Sequence, residues 1–180
     1  MLALGLLSQS ASAGTYSSSF NTDPTLDPAP LDIRTTAKWV GAGSYDGSGY
    51  ISITDAINSQ QGSIVLPDFD NGASISGFTL TAKVRIGGGT ARPADGMSFS
   101  FADPSDAIVA SGTVGEEGTA TGLSVNFDTW DNGAGESIAM DIKLNGTMFA
   151  HKRFSGTRDG DGPTNWKCQP VETDASGNQL

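Results

Sequence analysis

The sequence predicts an all-β protein, a two-sheet antiparallel jelly-roll sandwich. Three observations predict it. Apolar and polar residues alternate along short runs. Turn-forming residues separate those runs, and no segment carries a convincing helical period. With 24 Gly and 8 Pro in 180 residues, turns must be frequent, which suits many short strands better than long helices.

The elements follow in chain order. Residues 16–20 read as a short first strand before a Pro-containing polar loop. Residues 37–40, 50–53 and 62–66 are short, β-branched or aromatic, and bounded by turn signals such as Asp46-Gly47 and Asp70-Asn71-Gly72. The clearest alternation sets Phe78, Leu80, Ala82, Val84 and Ile86 against Thr79, Thr81, Lys83 and Arg85, and predicts a strand with one wet face. Met97, Phe99 and Phe101 alternate with Ser98, Ser100 and Ala102. Leu123, Val125 and Phe127 alternate with Ser124, Asn126 and Asp128. Ile138, Met140, Ile142 and Leu144 form the next run, Asn145-Gly146 turns the chain, and residues 147–152 return. Strands with a single apolar face need a second sheet to cover them, hence a sandwich.

The ends carry their own signals. Residues 1–13 hold a short apolar run and Ala11-Ser12-Ala13, the form of a secretory signal cleaved after Ala13, although no basic residue precedes Arg34. This predicts a partial signal peptide, a domain over 14–180 and a secreted or cell-surface protein. The apolar run is too short to span a bilayer. Asp174-Ala-Ser-Gly177-Asn178 is a turn signal, and Gln179-Leu180 starts like another strand. The domain is therefore expected to be incomplete at its C-terminus. A net charge of -10 repels phosphate backbones and argues against nucleic acid as a partner. Cys168 is the one cysteine, so an intrachain disulfide is impossible and the fold must rest on its core.

Two segments carry chemistry. The first is Ala94-Asp95-Gly96 leading into the strand that ends at Phe101. The second runs from Gly122 through Asn126-Phe127-Asp128-Thr129-Trp130-Asp131-Asn132 to Glu136. Their order and spacing resemble the L-type lectins of the concanavalin A-like lectin/glucanase superfamily, and above all bacterial secreted proteins of lectin-like type. The resemblance covers about residue 16 to the end.

That resemblance implies carbohydrate binding to glycans or polysaccharides, assisted by calcium. Carried over residue by residue, Asp95, Gly96, Asn132 and Trp130 would meet the sugar. Asp128, the Trp130 carbonyl, Asn132 and Glu136 would hold calcium, which takes several hard oxygen ligands. Glu136 matches only with a shift of about one residue. The chain departs from the legume pattern at the transition-metal site. Asn126 stands at the family's Glu position and Ser137 at its His position, so no manganese is expected.

Plainer readings stand beside these. Asp95 and Asn132 each precede Gly and suit ordinary turns. Asp128 on a polar face could be a hydrogen-bonded structural carboxylate. Asp159-Gly-Asp161-Gly162 lacks the spacing of a calcium loop, and His151 reads as part of a wet strand end. Asn145-Gly-Thr147 is a glycosylation sequon, but it also makes the hairpin turn. Retaining glycoside hydrolysis needs two carboxyl groups roughly 5 Å apart. Asn126-Phe-Asp128 supplies one, and Glu116-Glu117 would point apart, so no enzyme is expected unless its catalytic residues lie outside this chain. A structural or adhesive surface module of the same fold, without sugar affinity, is the alternative to a lectin.

Overall fold

A computed structural model describes residues 14–44, 47–73, 75–86, 95–112, 114–130 and 138–153. The chain is all-β, as expected. Its described strands are β1 (Asp32–Thr35), β2 (Lys38–Val40), β3 (Tyr50–Ser52), β4 (Gly62–Val65), β5 (Gly96–Phe101), β6 (Leu123–Asp128), β7 (Ala139–Leu144) and β8 (Thr147–Arg153). The only helical pieces among the described residues are a 3-10 turn, Pro24–Leu26, and the four-residue α1, Ala107–Ala110.

All pairing is antiparallel. β1 pairs with β4, β2 with β3, and β5-β6-β7-β8 form a four-stranded sheet in chain order. Only β7 and β8 are joined by a tight turn; residues 102–122 link β5 to β6, and residues 129–138 link β6 to β7. The β7–β8 turn is the predicted one. Asn145 and Gly146 adopt φ of 49° and 71°, the double left-handed geometry of a tight hairpin.

The ladder fixes which residues share a face. Met97, Phe127 and Met140 line up across one side, as do Phe99, Val125 and Ile142, and Phe101, Leu123 and Leu144. Phe99 meets Phe127 edge-on at 6.2 Å between ring centres. On the other side lie the rows Gly96–Asp128–Ala139, Ser98–Asn126–Asp141–His151 and Ser100–Ser124–Lys143.

Burial inverts one expectation. The polar side of β6 is not wet. Ser124, Asn126 and Asp128 are buried, at 1%, 2% and 6% exposure. Their apolar neighbours Leu123, Val125 and Phe127 are only half-buried. The connection between β5 and β6 folds back over the polar rows, a long-range event that strand periodicity does not encode.

Two predicted strands are corrected. Residues 78–86 join no ladder among the described residues, and all but Ile86 are exposed. Their alternation is real in sequence, but a strand needs a partner's N–H and C=O groups as well as a pattern. Phe78 instead stacks on Phe101 at 5.2 Å. Residues 16–20 likewise form no strand; Phe20 turns left-handed at φ 57°, and its carbonyl accepts the Trp39 indole N–H at 2.7 Å. Conversely, β1 joins the fold without having been expected, because Asp32-Ile-Arg-Thr35 is mostly polar.

The link from β5 to β6 is anchored by Asp106, 3% exposed. Its carboxylate caps α1 by accepting from the Ile108 and Val109 amides, and also accepts from the amide and hydroxyl of Thr121. Thr121's hydroxyl bond, chiefly, holds this carboxyl below the usual carboxylate range; the helix-capping amides act in the same direction, and desolvation opposes them. Ser105 similarly lowers the Asp103 carboxyl by hydrogen bonding. α1 leans on β1 through Arg34, whose guanidinium donates to the Val109 carbonyl at 2.6 Å, while Ser63 of β4 donates to the Gly112 carbonyl.

Candidate functional site

The two sequence segments meet at one end of the four-stranded sheet. Gly96, the first residue of β5, stands opposite Asp128, the last residue of β6. Just outside the ladder, the Thr129 amide donates to the Asp95 carbonyl at 2.8 Å. Asp95 and Asp128 thus leave neighbouring strands at the same edge, where the lectin-like reading requires them.

Local chemistry shapes this corner. Asp95 adopts φ 54°, a left-handed conformation that Asp tolerates better than most residues. Gly96 follows at φ 137°. A Cβ there would overlap the Phe127 carbonyl oxygen, so this position admits only glycine. Gly96, expected to meet a sugar, is held here by close approach to the Phe127 backbone. Asp95 itself is exposed, whereas Asp128 is buried. One carboxylate can reach a solvent-borne ligand; the other is enclosed by protein.

Asp128 also shapes the bend beyond β6. Its Oδ1 accepts the Trp130 amide at 2.8 Å, closing an Asx turn at the strand end. Thr129 is fully buried and Trp130 half-buried. The turn sets the Trp130 carbonyl two residues from the Asp128 carboxylate along one tight bend. Asn132 and Glu136, the remaining predicted ligands, lie outside the described residues, as do Ala94 and Ser137. So do residues 1–13, Cys168, Asp159-Gly-Asp161-Gly162 and residues 174–180. Among the described residues, no cluster of three or more His, Cys, Asp or Glu side chains is poised to hold a metal. A calcium site here would have to combine Asp128 and the Trp130 carbonyl with oxygens from 131–137. That fits an ion that takes carbonyl and amide oxygens along with carboxylates.

The cross-strand neighbours of Asp128 are Gly96 and Ala139, so no carboxylate faces it directly across either ladder. Glu117 pairs instead with Lys143. The paired acids of a retaining glycosidase are not assembled among the described residues.

Sequence reasoning missed two polar partnerships and one buried amide. His151 on β8 meets Asp141 on β7 at 2.6 Å, although its sequence context suggests no more than a wet strand end. Lys143 reaches Glu117, both side chain and carbonyl. Asn126, read only as a missing metal ligand, is a buried amide whose Oδ1 and Nδ2 have no hydrogen-bond partner among the described residues. The first two are cross-strand or loop contacts, which register decides. For the third, an Asn between two core-facing apolar residues was the available sign.

The fold and this corner define a lectin-type β-sandwich module. The family model described as the legume-like lectin family matches residues 16–177, and the chain belongs to that family. Comparison with curated proteins and with solved structures gives no match. Among the described residues, no helix is long and apolar enough to cross a membrane.

Proposed function

We propose that this protein is a secreted or cell-surface lectin that binds glycans or polysaccharides at the Asp95–Asp128 corner with the help of calcium. The observation that supports this most is the pairing of Gly96 with Asp128, which brings both signature segments to one sheet end. In this reading Asp95, exposed and held left-handed, accepts hydrogen bonds from sugar hydroxyls. Asn132 supplies the complementary donor, and Trp130 a flat apolar face. Calcium, held by Asp128, the Trp130 carbonyl, Asn132 and Glu136, fixes the loop that carries Asn132. The residues of a transition-metal site are replaced by Asn126 and Ser137, so calcium acts without manganese. The protein is a binding module rather than an enzyme.

The test is a glycan array probed with the protein in excess calcium and again with a chelator. Binding in calcium that is lost on chelation is the expected result. Absence of binding to every glycan in calcium would leave the structural or adhesive role instead.

A further inference from the structure

The polar face below Asp128 has no place in the function proposed so far. Ser124, Asn126 and Thr129 are almost completely buried, yet the Ser124 and Thr129 hydroxyls and both ends of the Asn126 amide lack hydrogen-bond partners among the described residues. Burying such groups unpaired costs free energy at each one. Residues 114–118 lie over Ser124 and Asn126. Gly118 lies so close that a Cβ would stand 2.6 Å from Ser124 Oγ and 3.0 Å from Asn126 Oδ1. This strap is tied down on both sides of β6. Ser98 of β5 donates to the Gly115 carbonyl at 2.6 Å, and Lys143 of β7 forms an ion pair with Glu117. The Glu117 side chain is 58% exposed, whereas that of Lys143 is 14% exposed, so the latch reaches solvent only from the strap side.

A strap latched over unsatisfied donors and acceptors describes a cover whose closed state carries the cost of those unpaired groups. Asn126 is two residues from Asp128 on the same face of β6, about 6.7 Å at the usual strand rise. We propose that residues 114–118 are a gate, latched by Lys143 and Glu117. Opened, it exposes Ser98, Ser124 and Asn126 as hydrogen-bonding positions for the further units of an oligosaccharide whose first unit sits at the Asp95 corner. This rests on the carbohydrate reading and adds to it the ligand class, a chain rather than a single sugar. Hydroxyls of the chain supply the partners that Asn126 and Ser124 lack. While the gate is shut, apparent affinity for the chain is reduced by the fraction of time it is open.

The experiment uses the full chain in excess calcium and compares wild type, Lys143→Met, and the double variant Glu117→Lys/Lys143→Glu. Hydrogen exchange reads the strap, and calorimetric titration reads binding of two probe pairs: glucose with cellotetraose, and mannose with mannotetraose. Lys143→Met should speed exchange at 114–118 while leaving β6 and β7 protected. For the pair that binds, it should tighten the tetrasaccharide about tenfold and leave the monosaccharide unchanged. The double variant should return both readings toward wild type. Unchanged exchange at 114–118 in Lys143→Met overturns the latch. Faster exchange with equal tightening, or none, for both chain lengths overturns the extended surface while the lectin reading stands. If no probe binds any of the three proteins, the extended-chain proposal falls, while the lectin reading stands or falls by the glycan array.

Discussion

At the scale of single residues, solvation separates the two aspartates that the sequence places in one motif set. Asp95 is exposed and Asp128 is buried, so their substitutions should differ in kind. Asp95→Asn keeps a side chain that tolerates left-handed backbone. It should leave the melting temperature within about 2 °C of wild type. Glycan binding should weaken about tenfold or more, as a charge-assisted acceptor is lost. Thermal melts and the array check both. Asp106 predicts the opposite pattern. Its carboxylate satisfies amides of α1 and both donors of Thr121. Asp106→Ala should lower the melting temperature by roughly 5–10 °C. Because folding depresses this carboxyl, its contribution is present above the unfolded value, about 3.9, and is lost as pH falls through the lower folded value. Melting temperature followed from pH 5 downward should therefore fall less steeply in Asp106→Ala than in wild type. Equal slopes would mean that another carboxylate carries the acid sensitivity.

Among elements, the β5–β6 pair decides the site. Its register sets Gly96 against Asp128, and a slip of one residue would send every polar side chain to the apolar face. Gly96 guards that register, since any side chain would drive into the Phe127 carbonyl at a backbone angle that L-residues rarely adopt. Gly96→Ala is expected to cost about 2 kcal/mol or more of stability and to separate Asp95 from Thr129. Urea unfolding with hydrogen exchange at the Thr129 amide reads both effects. Six of the eight strands, β2 to β4 and β6 to β8, coincide closely with runs readable from alternation or turn signals, and β5 matches its run from Gly96 onward. The failures are informative. The run at residues 78–86 has the strongest pattern and joins no ladder among the described residues, while Asp32–Thr35 has almost no pattern and a full partner in β4. Pattern reports which side of a strand would be apolar. Pairing depends on what the rest of the chain sets beside it.

For the molecule as a whole, calcium would link binding to stability. An ion held only by the folded state adds RT ln(1 + [L]/Kd), about 2.7 kcal/mol at a hundredfold excess over Kd. Melting temperature should then rise by roughly 5–10 °C in calcium and fall back on chelation. Manganese offered alone should give no comparable rise. A flat response to calcium would remove the ion from the proposal and leave Asp128 as the structural carboxylate that closes the Trp130 turn.

By itself the sequence determined the all-β class, most strand positions, the Asn145-Gly146 hairpin and the two segments that mark a legume-like lectin. These are local properties: side-chain alternation with period two, turn chemistry and short motifs each act within a few residues. Tertiary structure alone decided that Asp95 and Asp128 share a sheet end and that the polar face of β6 is buried. It also decided that Lys143 finds Glu117 and His151 finds Asp141. Each of these depends on ladder register or on a loop folding back across the sheet, and contacts between distant residues leave no periodic trace in the chain.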